Sequence, residues 1–260
     1  ETKGTSMSHF YDCSQEPFLT DAKTPSQAKK IGAYPSVTTI LSSKKSDFLD
    51  NIWTPRKLVE LARLHPEASS TELMAMKYGF RTSPIDGKLI SSSEFGTAVH
   101  ATLEYQIESI MRTGNIDKES VVAWDSWAFP FINFMCDNDI EPIATEKILF
   151  CHKFKSVGSV DFIGKLDGKY HLFDYKCRDT KGTGGKFYEE KDCTQLAIEA
   201  RFLKDTLGLD YDPGITSVCI CVESKKHYHK NWTKAQAKKG VTRFRYLSKL
   251  YWMDWMPKGR

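Results

Sequence analysis

The chain has 260 residues, of which 40% are hydrophobic and 27% charged, and its formal net charge is +4. That length sustains one generous domain or a domain with an appended lobe, and the composition is that of an ordinary soluble globular protein. No run approaches the roughly 20 apolar residues of a membrane-spanning helix, and seven cysteines, an odd number without a C-x-x-C pair, argue against a disulfide framework and for a reducing compartment.

Residues 1–33 are polar, with scattered Ser, Lys and Pro, and read as an extended N-terminal arm. Neither a secretory h-region nor an Arg-rich presequence is visible at Glu1–Ser6, and Met7 stands where a native start would fall. Tyr34-Pro35-Ser36-Val37-Thr38-Thr39-Ile40-Leu41 then opens an apolar segment, read as a turn leading into a buried strand or helix. Residues 55–65 and 70–79 have amphipathic helical spacing, the first with Thr54 as N-cap and Pro55 at its first position. A turn-rich connection follows over 81–90.

Ser91–Ser93 ahead of Glu94 form a capping-box signature, and Phe95, Val99, Leu103 and Ile110 continue it as the buried stripe of a helix. His100 and Glu104 lie one turn apart on an adjacent face. The aromatics of 118–138, Trp124, Trp127, Phe129, Phe131 and Phe134, fall at helical spacing and read as core. In the strand expected over 143–150, Glu146 alternates with apolar neighbours.

The stretch from Ser156 to Lys176 holds the strongest local signal. Asp167-Gly168 between two β-rich runs is a two-residue hairpin turn. That turn places Asp161 directly opposite Asp174 on one face of the sheet, and Lys176 projects from the same face. Two opposed carboxylates repel each other unless something compensates, and hard oxygen ligands suit Mg2+ or Mn2+. A solvated ion-pair cluster would be the alternative, but Val157, Ile163 and Leu172 share that face, so the charges sit in a half-buried setting that demands a partner.

Lys181-Gly182-Thr183-Gly184-Gly185-Lys186 lacks the spacing and the Ser/Thr of a P-loop. It reads either as a flexible loop or as a strip of amides and two lysines, Lys181 and Lys186, offered to a nucleic-acid backbone. Residues 192–203 form a second strong helix, with Leu196, Ala200, Leu203 and Leu207 buried and Gln195 flanking them. Cys219 and Cys221 face one side of a strand over 215–222, with His227 and His229 close behind. Their spacing is not that of a zinc finger, and buried thiols account for the cysteines better. A basic and aromatic helix over 234–256 closes the chain, its charges read as a solvated face or a phosphate-tracking surface. Helices alternating with strands give an α/β core.

Taken in order, Gly96-Thr97-x-x-His100-x-x-x-Glu104, Gly158-x-x-Asp161, Asp174-x-Lys176 and Gln195-Leu196 resemble the PD-(D/E)xK nuclease superfamily. The likeness runs from Tyr34 to the C-terminal helix. It is to the RecB-type exonuclease branch, and within it to the mitochondrial genome maintenance exonuclease and its phage and bacterial relatives. The resemblance implies a restriction-endonuclease-like core with a mixed central sheet flanked by helices, one nuclease domain over 34–260, largely helical over 34–140 and catalytic over 141–260. It implies one or two Mg2+ or Mn2+ ions held by Asp161, Asp174, His100 and the Tyr175 carbonyl, with Lys176 and Gln195 acting alongside them. Glu104, Glu146 and Thr97 would support the site, and Thr194 would contact nucleic acid with the lysines. The family often has a tyrosine four positions after the glutamine, where this chain has Glu199.

The substrate so implied is DNA, preferentially single-stranded or flapped, cut by an exonuclease in replication, recombination or repair. No iron–sulfur cluster is expected, because its C-terminal cysteine group is missing. The setting would be cytoplasmic in a bacterium or phage, or mitochondrial after loss of a presequence, with no membrane association. Two other readings remain open: a structure-selective endonuclease on the same chemistry, and a catalytically silent nucleic-acid-binding module.

Overall fold

The computed structural model describes residues 9–14, 16–43, 54–64, 66–67, 69, 73, 80–117, 123–180 and 184–254. It is an α/β fold with a mixed central sheet between two helical layers and an N-terminal lobe of short helices and strands.

In the lobe, β1 (Phe10–Asp12), β2 (Phe18–Leu19) and β3 (Tyr34–Pro35) form a small antiparallel sheet in the order β2-β1-β3, with α1 (Pro25–Lys30) between β2 and β3. The described residues of 9–35 thus form strands and a helix where an extended arm was expected. Phe10, Ala28 and Ala33 give them a small core of their own. Ser36 caps α2 (Val37–Ser42), accepting from the Thr39 N–H. Next come α3 (Thr54–Leu64) and the hairpin of β4 (Phe80–Thr82) and β5 (Leu89–Ser91). The helix expected over 70–79 lies, apart from Leu73, outside the described residues.

Ser91 begins α4 (Ser92–Thr113) with a full capping box: its side chain accepts from the Glu94 N–H, and the Glu94 carboxylate accepts from the Ser91 N–H. That satisfies two donors which a helix start leaves orphaned. After α5 (Asp125–Asp137) come β6 (Glu141–Cys151), β7 (Ser156–Leu166) and β8 (Lys169–Arg178). A π-helical turn over 189–193 leads into α6 (Thr194–Leu207), which carries the chain across to β9 (Gly214–Cys221), parallel to β8. The edge strand β10 (His227–Asn231) and the long α7 (Lys234–Asp254) complete the fold, and the five-stranded sheet runs β10-β9-β8-β7-β6.

Helices α4 and α5 cover one face of this sheet, where Phe95, Val99, Leu103 and Phe131 meet Phe162, Phe173 and Val218. Each such fully buried side chain is worth about 1.5–3 kcal/mol relative to exposure. Helices α2, α6 and α7 cover the other face, packing Ile40, Leu196, Phe202 and Phe244 against Ile163, Leu172 and Ile215. Leu207, expected in that layer, is 45% exposed because it ends the last turn of α6 ahead of Gly208. Both apolar layers pack on the β7–β8 hairpin, from opposite faces.

Candidate active site

Asp167 and Gly168 both have positive φ, 52° and 71°, as a type I′ turn requires. The ladder runs from Leu166–Lys169 through Phe162–Phe173 and stops there. Asp161 and Asp174 would be the next pair. Instead the strands part: the start of β7 pairs onward with β6 down to Cys151–Ser156, and the end of β8 pairs with β9 up to Arg178–Cys221. The sheet forks at the two aspartates. Asp161 Oδ2 accepts the Tyr175 N–H at 2.7 Å, so a side chain takes over the bond the ladder has given up.

Lys176 Nζ sits in the fork, 2.5 Å from Asp174 Oδ1, 3.1 Å from the Tyr175 carbonyl and 4.0 Å from Asp161 Oδ2. Burial pulls its ammonium downward, but the Asp174 and Asp161 charges outweigh it and hold the group above its ordinary range. Asp174 is only 1% exposed. Burial pushes its carboxyl up against the pull of Lys176. Gln195 Nε2 donates to Asp174 Oδ1 at 3.2 Å from the first turn of α6. That turn is fixed by a buried bidentate pair, Arg178 to Asp192 at 2.8 Å through both nitrogens. Such a pair holds orientation as well as charge.

The other wall comes from α4. His100 Nδ1 lies 3.8 Å from Asp161 Oδ2, and the His100 ring meets Tyr175 edge-on at 5.7 Å. Burial lowers the His100 pKa against the opposing pull of Asp161, leaving the ring neutral at pH 7 and free to act as a ligand. Glu146 completes a group with His100 and Asp161 whose ligand atoms all lie within 4.8 Å of one another, and these three can hold a metal ion. Desolvation first, and the Asp161 charge second, push the Glu146 carboxyl up to about 7. Its Oε2 accepts from the Ser159 hydroxyl at 3.2 Å.

A cleft of about 570 Å³ opens over this group, lined by Ser92, Ser93, Thr97, His100, Glu104, Glu146 and Lys176. The first turn of α4 faces into it, with the positive end of the helix dipole favouring an anion. A Cβ on Gly96 would meet nothing within 4 Å, so the helix surface there is bare.

The arrangement differs from the expected ligand set in three ways. Glu146, expected as a supporting residue, lies with His100 and Asp161. Asp174 turns one oxygen to Lys176 and Gln195, and the Tyr175 carbonyl is engaged by Lys176. Glu104 lines the cleft, its pKa raised by burial and by Glu108. Thr194, expected to contact nucleic acid, is fully buried, and its hydroxyl accepts from Arg243 at 3.0 Å. Lys186 lies over the Tyr188 ring at 5.5 Å, and Lys181 is outside the described residues. The cysteines and histidines of 219–229 form no shared ligand group among the described residues. Cys219 and Cys221 are buried, while His227 and His229 stack beside Phe134.

No protein-family model matches the chain, and no curated protein does. Solved structures align with it loosely. The crystal structure of a Eubacterium rectale protein, provisionally named an exonuclease, is 12% identical at a TM-score of 0.40 and covers 88% of this chain and 83% of that one. The structure of SSO0001 is also 12% identical, at a TM-score of 0.30, with coverage of 79% and 88%. Likenesses this distant carry no argument about chemistry, which rests on the residues in the fork.

Two side chains there escaped the sequence reading. Ser159 shares a strand face with Asp161 by simple alternation, which was signal enough to find it. Glu199 is 1% exposed and lies in reach of the Asp174 and Asp161 charges; burial and those charges push its carboxyl well above the ordinary range. Its spacing from Gln195 puts both on one face of α6, and in sequence it registered only as a missing tyrosine.

Proposed function

We propose that the chain is a metal-dependent nuclease of the PD-(D/E)xK type that cuts DNA, preferentially single strands or flaps, from their ends. The observation that carries the reading is the fork itself: where β7 and β8 part, a neutral imidazole and two carboxylates gather beside an ammonium held in place by a third carboxylate. Opposed carboxylates in a half-buried cleft favour a divalent cation over any side-chain partner present, because Lys176 is already held by Asp174. The buried Asp174 Oδ2, without a hydrogen-bond partner among the described residues, fits the same demand.

His100, Glu146 and Asp161 would hold the ion. Bound there, Mg2+ or Mn2+ supplies a Lewis acid that neutralises phosphate charge and acidifies a water. The chain's own groups do the rest. Asp174 and Gln195 fix Lys176 so that its ammonium can orient the attacking water or stabilise charge on the reacting phosphate, an effect worth roughly 3–4 kcal/mol for a well-placed donor. Ser159 fixes the Glu146 carboxylate, and the first turn of α4 receives the phosphate backbone. The order of the four motifs, from Gly96 to Leu196, supports kinship with the RecB-type exonuclease branch and its mitochondrial, phage and bacterial members.

The test is degradation of end-labelled single- and double-stranded DNA with Mg2+, alongside a circular single strand, for the wild type and for Asp161→Ala and Lys176→Ala. The expected result is trimming of linear single strands by the wild type alone, with the circle intact. Cutting of the circle turns the reading to an endonuclease. Binding without cleavage by all three proteins removes the enzyme reading altogether.

A further inference from the structure

The chain just ahead of the π-helical turn presents one aromatic ring to solvent and fixes it in place. Tyr188 is 46% exposed. Its N–H donates to Asp192 Oδ2 at 2.9 Å, and its carbonyl accepts from the Asp192 N–H at 2.7 Å. The Arg178 guanidinium lies over the ring, 4.8 Å from its centroid. That guanidinium is itself held by the bidentate pair with Asp192, so it backs the ring as a fixed plane. Just upstream, Phe187 packs into the α6–α7 layer, the Lys186 N–H donates to Cys219 Sγ at 3.5 Å, and the Lys186 carbonyl accepts from Arg178. A Cβ on Gly185 would lie 2.4 Å from the Phe187 ring, so the chain is packed down there as well.

A tyrosine that closes a core is buried, and one that only decorates a surface is free to turn. Tyr188 is neither, being anchored and open at once. Two acids follow it, but Glu189 accepts from Gln236 and Glu190 pairs with Arg243, both on α7. The ring also stands close to the fork. Arg178 lies two residues beyond Lys176 on β8, so both project from one face, about 7 Å apart along the strand. The Asp174 charge acts on Arg178 across that gap. Lys186 Nζ, 5.5 Å from the ring centroid on an exposed side chain, is held there weakly and can turn to a phosphate.

We infer that Tyr188 is a stacking platform for one nucleobase of a single strand, on the Arg178 side of the fork. The inference rests on the nuclease reading above and deepens it, giving the preference for single strands a physical origin. Any base can stack on an aromatic ring, because each has a π-face, and no contact to a base edge is needed. Inside a duplex both faces of a base are covered by its neighbours, which leaves the platform empty. A single strand can seat a base on Tyr188 while its backbone passes Lys186 toward Lys176.

The experiment is equilibrium binding in chelator, by fluorescence anisotropy, of a short labelled single strand of mixed sequence and of the same strand made abasic. The proteins are the wild type, Tyr188→Ala, Tyr188→Leu and Tyr188→Trp, each shown folded by thermal melting. Tyr188→Ala should lose about 5- to 100-fold on the strand with bases and almost nothing on the abasic strand. Tyr188→Leu, which keeps an apolar side chain in the loop and removes the ring, should lose as much, so the test survives an alanine variant that does not fold. Tyr188→Trp should bind as the wild type does. The salt dependence should not change in any variant, since the ring neutralises no phosphate. Equal losses on both strands, or none on either, overturn the platform, as does a wild type that binds both strands alike or neither. Cleavage with Mg2+ that persists in those cases leaves the nuclease reading standing, and its absence overturns both.

Discussion

Glu146 faces Asp161 across the β6–β7 ladder, between the pairs Thr145–Phe162 and Lys147–Val160, yet its backbone is left-handed, with φ at 44°. A non-glycine residue with a bulky side chain in that region costs about 1–2 kcal/mol, while the register already sets Glu146 and Asp161 on one face of the sheet, as directly opposed residues are. Glu146 lies there with His100 and Asp161. Strain of this kind persists where it serves a site.

Glu146→Gly is therefore expected to stabilise the metal-free protein by about 1 kcal/mol, since glycine takes the left-handed region without penalty. The same change should abolish Mg2+-dependent cleavage. Urea denaturation in chelator measures the first effect and nuclease assay the second. A Glu146→Gly variant less stable than the wild type would show that the left-handed backbone is not strained.

How much of this the sequence revealed depended on whether the signal was local. The Asp167-Gly168 turn fixes the register of β7 and β8 by itself, so the juxtaposition of Asp161, Asp174 and Lys176 followed from three residues and a rule. The Ser91 capping box was equally legible. Glu146 was legible only through the family likeness, because its place opposite Asp161 depends on β6 finding β7, and nothing in residues 143–150 announces a left-handed backbone. Nor could Thr194 be read as buried, since Arg243, which holds it, lies 49 positions away on α7. The fork was also invisible: β7 stays paired with β6, and β8 with β9, along their outer edges while the ladder between them ends at Phe162–Phe173, and pairing between distant segments leaves no trace in a short window.

The Lys176–Asp174 pair should behave as a unit. Lys176→Met leaves Asp174 buried with Gln195 as its one remaining hydrogen-bond donor among the described residues, and removing one member of a buried pair costs about 3–5 kcal/mol. Asp174→Asn with Lys176→Met removes both charges and should recover most of that loss. Activity should fall by about 10²–10³ in both variants, because neither retains the ammonium. Denaturant midpoints for the two single variants and the double decide the matter: single losses that simply add in the double would mean that the pair is not coupled.

The metal-free protein should lose stability as pH rises through neutrality, and Glu146 should be the cause. Its carboxyl is raised from 4.5 to about 7 by desolvation and by Asp161, so the folded state holds that proton more tightly than the unfolded chain does. The associated stabilisation is complete below about 4.5 and lost as pH passes 7. His100, shifted downward, acts in the opposite sense: its contribution is present above 6.5 and lost below it. The difference between wild type and Glu146→Gln isolates the first group. The two proteins should melt alike near pH 5, and the variant should melt higher at pH 8. Because Glu146 faces the open cleft, solvent screening keeps the gap well below the full linkage value. Mg2+ added at pH 8 should raise the melting point of the wild type and leave the variant almost unmoved.

Gly158 and Glu199 should prove coupled through space alone. Alanine in place of Gly158 drives a Cβ to 2.6 Å from Glu199 Cγ, and with β7 held by β6 and α6 clamped by Arg178 and Asp192, neither element can yield freely. Overpacking of that sort costs about 1–3 kcal/mol. Trimming Glu199 to alanine removes the atoms that clash, so Gly158→Ala should cost little in a Glu199→Ala background. A double-mutant cycle followed by denaturation should show a coupling of about 1–3 kcal/mol. Additive losses would place the strain of the Gly158→Ala change elsewhere, in the backbone of β7 rather than against the acid.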